Sequence, residues 1–527
     1  MSDLRVFEHR TLLRHRREIV LDWMGRPGAL RRLTPAFAGE VVSGPSNGLQ
    51  VGSESRLRIA APGAWGLFAG AADGALRHTL PASVTRLLPA AAAPRVPWTA
   101  RHTAHEPGRM FRDEMVSGPL SSWTHTHLFE DAAPGEADTA EGGPGTVMTD
   151  RVEYALPGGR LLERVPAVGP RAAERAHALF EAELARQFAH RSRVLAEDLD
   201  FHAAHPGPLT GGPARTVLVT GASGLIGRAL VDLLSSGGHR VVRLVRDGQA
   251  ASAPDAALWD PLRGRVDRRA LEAADVVVNL AGEPIAGRFT EAHKEAVHAS
   301  RVQGTRTLVD AIAALDDAAR PALVNGSAIG WYGARAGTGP FGSGLVEELP
   351  AGDDFLAQVV EDWEAEARRA EGLGVRVVRV RTGVVLSPAG GMLQQVLPLF
   401  LSGVGGPVAT SGGQSHDGSP WLSWIAEDDI AGILAHAVLE ESVQGVYNAV
   451  APEPVTAREF ARTLGQVVRR PARVPVPGAG PRLLLGAEGA AQTVEADQKV
   501  VADRIVGTGY RFRQPDLEDA LRHVLGR

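Results

Sequence analysis

Val217-Leu218-Val219-Thr220-Gly221-Ala222-Ser223-Gly224-Leu225-Ile226-Gly227, continued by Arg228-Ala229-Leu230-Val231-Asp232-Leu233-Leu234, reads as a buried strand, a tight glycine turn and a helix. A dinucleotide-binding unit needs that order, because backbone N–H groups and the positive end of the helix dipole then face a pyrophosphate. The three glycines have separate reasons. Gly221 allows the turn, Gly224 lets the backbone approach the phosphates, and Gly227 lets the helix lie close to the sheet. Ser223, Leu225 and Ile226 complete the cradle.

The next strand, Arg240 to Arg246, bears on which dinucleotide binds. An NAD site places an acidic residue about 20 positions after the turn to take the ribose hydroxyls, whereas a 2'-phosphate calls for a cation. Here Val245 is followed by Arg246, whose guanidinium can fork onto a phosphate or stack on adenine, so NADP is expected. Asp247 keeps NAD as the alternative. Further strands at Val276 to Leu280, Ala322 to Asn325 and Val375 to Val380 alternate with helical segments, which predicts a doubly wound parallel sheet of the Rossmann type. The ligand crevice of such a sheet lies beyond the carboxyl ends of its strands.

The chain has 527 residues, too many for one ordinary core, which suggests roughly two to four domains. Composition is globular, with 44% hydrophobic and 22% charged residues. A net charge of -5 gives no field that would recruit nucleic acid or an anionic membrane. Zero Cys excludes disulfides, thiolate metal sites and Cys nucleophiles. Met1-Ser2-Asp3-Leu4-Arg5 lacks signal-peptide order and no apolar run approaches membrane-spanning length, so a cytoplasmic location is expected. The preference for Ala, Gly, Pro and Arg over Lys resembles proteins of high-GC bacteria.

The Pro- and Gly-rich stretch 206–213 reads as a linker between modules. Residues 1–205 form the first expected domain. A helix from about Ala172 to Leu199 closes it, and strand-like runs precede that helix at Glu18 to Leu21, Ser55 to Ile59, Trp123 to Phe129 and Val147 to Tyr154, an α+β arrangement. The Ala-, Gly- and Pro-rich stretch from Ala60 to Pro97 receives no assignment. Residues 214–450 form the expected nucleotide-binding domain and 451–527 a C-terminal domain on the substrate side.

His125 and His127 share one face of a strand with Trp123. They offer two metal ligands, but the spacing supplies no third, so a packing or cavity-wall role is expected and no metal site is assigned.

Phe111-Arg112-Asp113-Glu114-Met115, Gly118-Pro119-Leu120, the His125 strand and Asp150 to Tyr154 resemble the helix-grip domains of the polyketide cyclase and START-like superfamily. That resemblance implies an apolar ligand between sheet and helix. In the second module, Val278 to Ile285, Ser327 to Gly333, Asp353 to Leu356, Asp362-Trp363-Glu364, Arg381 to Leu386, Gly405-Gly406-Pro407, Ser423-Trp424-Ile425 with Asp428-Asp429, Thr508-Gly509-Tyr510 and Gln514 to Leu517 are similar, in order, to the sugar-epimerase-like subgroup of extended short-chain dehydrogenase/reductases. The resemblance covers about residues 214 to 526. It implies that Gly221 to Gly227 hold the pyrophosphate and Arg246 the 2'-phosphate, with Leu280, Ala281 and Gly282 beside the adenosine. Arg301 is then either a second cation or a structural residue, and Val385 faces the nicotinamide half.

The superfamily's proton machinery is a Tyr phenolate tuned by a Lys four residues on, with a Ser holding the substrate oxygen. Ser327 stands in about the right place, but the Tyr-x-x-x-Lys segment falls on Phe355 to Val359, and neither replacement carries a proton. Tyr332 is the substitute acid/base to be tested, against a packing role. Glu283 and Lys294 are weaker alternatives, and Ala426 stands where the subgroup commonly has His. The 387–391 and 403–407 stretches read as ordinary connections, with closure over the substrate cleft as the alternative. The expected function is an NADP-dependent oxidoreductase or epimerase acting on a small carbonyl or hydroxyl substrate. The alternative is an NADPH-sensing binding protein without turnover.

Overall fold

The computed structural model describes residues 4–60, 95–140, 142–157, 169–339, 342–409, 415, 417–472, 474, 476–477 and 479–527. Met1 to Asp3 and most of the Ala60 to Pro97 stretch lie outside the described residues. Two compact units emerge. The first comprises Met1–Ala204, Ser235–Gly238 and His523–Arg527, and the second His205–Leu234 and His239–Arg522. The 206–213 stretch belongs to the second unit, where Pro208–Thr210 forms a single 3-10 turn. Residues 451–522 also belong to that unit instead of standing apart.

The first unit contains β1 (Arg5–Leu13), β2 (Gly39–Ser43), β3 (Glu54–Ala60), β4 (Arg95–Glu106), β5 (Met110–Ser117), β6 (Ser122–Asp131) and β7 (Thr146–Ala155). They form one antiparallel sheet in the order β1-β7-β6-β5-β4-β3-β2. The Gly169–Ala203 helix packs Phe180, Leu184 and Phe188 against Trp98, Val152 and Tyr154 of the sheet, at the i, i+4 spacing that puts them on one helix face. Arg32 holds Asp198 of this helix through two bonds of 2.7 and 2.8 Å, both groups buried.

One expectation is overturned here. Glu18 to Leu21 is not a strand but part of the Arg17–Gly25 helix. Its buried residues are Val20, Trp23 and Met24, an i, i+3, i+4 stripe that a four-residue window cannot distinguish from an extended apolar run.

The second unit carries β8 (Thr216–Thr220), β9 (Arg240–Val245), β10 (Ala256–Asp260), β11 (Arg265–Val266), β12 (Val276–Asn279), β13 (Ala322–Ala328), β14 (Val377–Thr382) and a Gly445–Ala449 strand. The sheet order is β11-β10-β9-β8-β12-β13-β14 and then Gly445–Ala449, parallel except for β11. Near-continuous Val and Leu in β8 and β12, and continuous burial through the middle of β13, fit strands covered on both faces. The strand order reverses between β8 and β12, so the carboxyl ends of these two strands flank the crevice where such sheets bind ligands. Among the described residues no helix is long and apolar enough to cross a membrane.

The Glu427–Leu439 helix is buried almost throughout and contains His436. One ring nitrogen of His436 lies 2.8 Å from His205 and the other 2.9 Å from the Thr508 hydroxyl. Burial, with His205 adding to it, pulls the His436 pKa from 6.5 down to about 4. Because the unfolded chain takes up this proton first, the stability contributed by neutral His436 is complete above pH 6.5 and is lost as pH falls toward 4. Urea midpoints of the second unit are therefore expected to drop across that window, and His436→Gln to flatten the drop.

Candidate nucleotide site

Three glycines and one polar network shape the end of the sheet. Gly221 has φ +66°, and a Cβ there would meet the Leu280 carbonyl oxygen at 2.6 Å. A Cβ on Gly227 would collide with the Gly221 carbonyl, so the Leu225–Ser236 helix seats against the turn only with glycine. Gly224 differs. The only atom near its Cβ position is the Gly221 oxygen at 3.2 Å, and the space beyond is open. The first N–H groups of the helix lack partners within it and add to this cradle.

The turn is fixed by buried polar groups from three neighbouring strands. Thr220 Oγ1 donates to Asn279 Oδ1 (2.7 Å) and accepts from the N–H groups of Leu280 and Ala281 (3.1 and 3.2 Å). Asn279 Nδ2 donates to Thr305 Oγ1 (2.9 Å) and to Asn325 Oδ1 (2.8 Å). This network locks the segment 280–282 beside the glycine turn. Gly282 in turn leaves room for the Arg301 guanidinium, which a Cβ would meet at 3.0 Å. Arg301 donates to the carbonyls of Glu283 (3.0 Å) and Val297 (3.1 Å) and lies 5.4 Å from the centre of the Trp363 ring. Burial lowers its pKa to about 10, and Glu283 offsets part of that fall. Arg301 thus clamps the loop after β12.

Val245 ends β9, and Arg246 follows it, exposed and without an ion pair among the described residues. Its neighbour Arg243 is already taken by Asp255 through bonds of 3.0 and 2.9 Å. Asp247 accepts from the Gln249 N–H at 2.9 Å and so serves the turn that follows β9. A free cation with its acidic neighbour engaged fits a 2'-phosphate better than a 2'-hydroxyl. Val385 lies in β15 (Val384–Leu386), paired with Ile425, and Gly390 just beyond sits 3.4 Å from the Leu225 side chain at its Cβ position. The 387–391 connection therefore borders the glycine helix.

Ser327 and Tyr332 are brought into one buried network, and both hydroxyls are engaged. Ser327 Oγ donates to Glu364 Oε1 at 2.6 Å. Arg381 grips the two oxygens of Glu364 at 2.8 and 3.1 Å, donates to the Tyr332 hydroxyl at 3.3 Å and lies 3.9 Å from the Trp331 ring centre. Tyr332 donates to Asn448 Oδ1 at 2.7 Å. Burial pushes its phenol up to about 12, although Arg381 pulls the other way. A phenol so placed holds its proton. Tyr332→Phe is expected to cost about 1–2 kcal/mol in urea unfolding, through the unpaired Asn448 oxygen, and to leave dinucleotide affinity unchanged.

Phe355 and Val359 lie in the first turns of the Phe355–Arg368 helix, capped by Asp354. Phe355 packs edge-on to Phe289 and under the Lys294 ammonium, and Val359 is buried. Lys294 is held by Glu291 (2.9 Å) and Glu488 (3.3 Å), and burial of its surroundings only partly offsets their upward pull on its pKa.

Glu364 and Arg381, central here, had no assigned role in the sequence. The available signal was arginine at alternate positions of the otherwise apolar Val377–Thr382 strand, which demands a buried acidic partner. In the first unit, Asp113 brings a carboxylate beside His125 and His127, a third group of ligating type that spacing along the chain did not supply.

Comparisons with known proteins agree with this geometry. The profile of the "NAD dependent epimerase/dehydratase family" matches residues 217–449, and a "Domain of unknown function (DUF1731)" matches residues 476–524. Epimerase family protein Mb2239 of Mycobacterium bovis is 36% identical over 313 residues, covering 59% of this chain and 98% of its own length. A crystal structure described as a nucleoside-diphosphate sugar epimerase from Corynebacterium glutamicum is similar over 99% of this chain and 90% of its own, with 30% identity and a TM-score of 0.69. The human epimerase family protein SDR39U1, solved with NADPH, is 34% identical over 59% of this chain and 99% of its own, with a TM-score of 0.51.

Proposed function

The chain belongs to the NAD-dependent epimerase/dehydratase family, and from that premise we propose that its second unit binds NADP(H) and acts on a small carbonyl or hydroxyl compound. The observation that carries the choice of dinucleotide is Arg246, exposed just after β9 and without an ion pair among the described residues, while Asp247 is bound to Gln249. The NADPH in the human relative supports it. Gly221, Ser223, Gly224, Leu225, Ile226 and Gly227 hold the pyrophosphate against the helix N-terminus. Leu280 and Ala281 line the adenosine side, and Val385 borders the nicotinamide side. Arg301 positions the loop at Gly282 and Glu283. When bound, the nucleotide supplies or accepts the hydride.

Ser327 and Tyr332 act in this reading by positioning, since Glu364, Arg381 and Asn448 hold their hydroxyls. The substrate proton then comes from water or from the substrate itself. A second reading, NADPH sensing without turnover, is supported by the resemblance that sets Phe355 and Val359 at the family's proton-relay positions, since neither side chain carries a proton. We read the first unit as a helix-grip type binder of an apolar ligand, supported by a cavity of about 210 Å³ that Leu57, Trp98, Phe111, Trp123, Phe180 and Leu184 help to line.

NADPH consumption across a panel of aldehydes, ketones and nucleotide sugars tests the proposal. Turnover that survives Tyr332→Phe supports the enzyme. Tight NADPH binding with no turnover of any compound moves the assignment to the sensor, and absence of NADPH binding overturns both.

A further inference from the structure

We propose that Asp113, His125 and His127 form a binding site for one divalent transition-metal ion at the wall of the first unit's cavity. The sheet register assembles the group. Asp113 on β5 stands opposite His125 on β6, and His127 stands opposite Asp150 on β7, so all four side chains rise from one face. His125 and His127 are 5% and 3% exposed, and with Asp113 they line the cavity.

Asp150, itself buried, holds the His125 ring by a hydrogen bond and lies beside the His127 ring. Its Oδ1 lies 2.9 Å from His125 Nε2 and 2.7 Å from His127 Nδ1. With those nitrogens turned to Asp150, the other two, His125 Nδ1 and His127 Nε2, face a single oxygen, Asp113 Oδ2, at 3.6 and 3.7 Å. These separations exceed a hydrogen bond. They are close to the ligand-to-ligand edge of about 3.4 Å expected when two nitrogens and one oxygen each stand about 2.1 Å from a tetrahedral ion. Two imidazole lone pairs and a carboxylate oxygen converging in a buried space repel one another unless a cation lies between them. A carboxylate taking the far nitrogen of a ligating histidine is the arrangement that fixes tautomer and basicity in such sites.

Two imidazoles and one carboxylate suit Zn²⁺, Fe²⁺ or Co²⁺ more than Mg²⁺ or Ca²⁺, which prefer all-oxygen sites. The protein supplies three ligands and the cavity borders all of them, so a fourth position is open to water or to an oxygen of a cavity ligand. His102 lines the same cavity and stands opposite Asp113 in the β4–β5 register. The competing occupant is a proton on His127 shared between Asp113 and Asp150.

The experiment uses the full chain without an affinity tag, stripped with a chelator and titrated with Co²⁺, followed by metal analysis after dialysis. A visible d–d absorption saturating at one equivalent, and displaced by Zn²⁺, is expected. Asp150→Asn should keep the stoichiometry and weaken affinity roughly 10- to 100-fold, whereas His125→Gln/His127→Gln should abolish the absorption. A wild-type protein that develops no absorption and retains no metal overturns the proposal in favour of the shared proton. Absorption that persists in the double variant overturns the assignment to these residues. The wild-type titration decides the matter even where a variant fails to fold.

Discussion

Arg246→Ala is expected to weaken NADPH binding by roughly 10- to 150-fold and to leave NADH binding unchanged, as read by calorimetric titration. A charge-assisted hydrogen bond to a phosphate contributes about 1.5–3 kcal/mol, and each 1.4 kcal/mol is about tenfold in affinity. The site concentrates this discrimination in one residue. Arg243, on the same strand, is already paired with Asp255, and Arg301 is turned toward the carbonyls of Glu283 and Val297. Truncating Arg246 removes no ion pair among the described residues, so stability should change little. A variant that loses NADPH and NADH equally would show that the arginine shapes the turn instead of reading the phosphate.

Glu364→Leu should be the most damaging single change to the second unit. Glu364 is fully buried and accepts from Ser327 Oγ (2.6 Å) and from Arg381 Nε (2.8 Å), with Arg379 at 3.5 Å. Arg381 is itself 2% exposed at its side chain. Removing the acidic group leaves a buried guanidinium uncompensated, at a cost of about 3–5 kcal/mol. The thermal transition that NADPH shifts, which marks the second unit, should then fall by roughly 10 °C. Glu364→Leu combined with Arg381→Met should recover much of the loss, because the penalty belongs to the unpaired charge. If the single variant unfolds like the wild type, the pair does not hold β14 to the Phe355–Arg368 helix as the geometry indicates.

Legibility in the sequence follows how local each signal is. The glycine turn was readable because an apolar strand, a fixed glycine spacing and an apolar helix lie consecutively, and Gly221 and Gly227 do meet backbone where a Cβ would sit. The place of Arg246 was readable for the same reason, since it directly follows the next strand. The Glu18 to Leu21 run failed because four residues do not separate a period of 2 from one of 3.6, and Trp23 and Met24 beyond it decide for helix. The Thr220, Asn279, Thr305 and Asn325 network was out of reach because its members come from three strands and a helix whose proximity only the sheet order creates. Asp113 escaped for a like reason. It faces His125 through the β5–β6 register, which composition and spacing do not encode.

The central claim is that the second unit is an NADP(H) site, and the most direct test is titration of the wild-type protein with NADPH, NADP, NADH and NAD under one salt condition. One equivalent of NADPH or NADP should bind, with the unphosphorylated pair weaker by at least about tenfold, the discrimination expected of one charge-assisted phosphate contact. Equal binding of NAD and NADP, or no binding of any of the four, would contradict it.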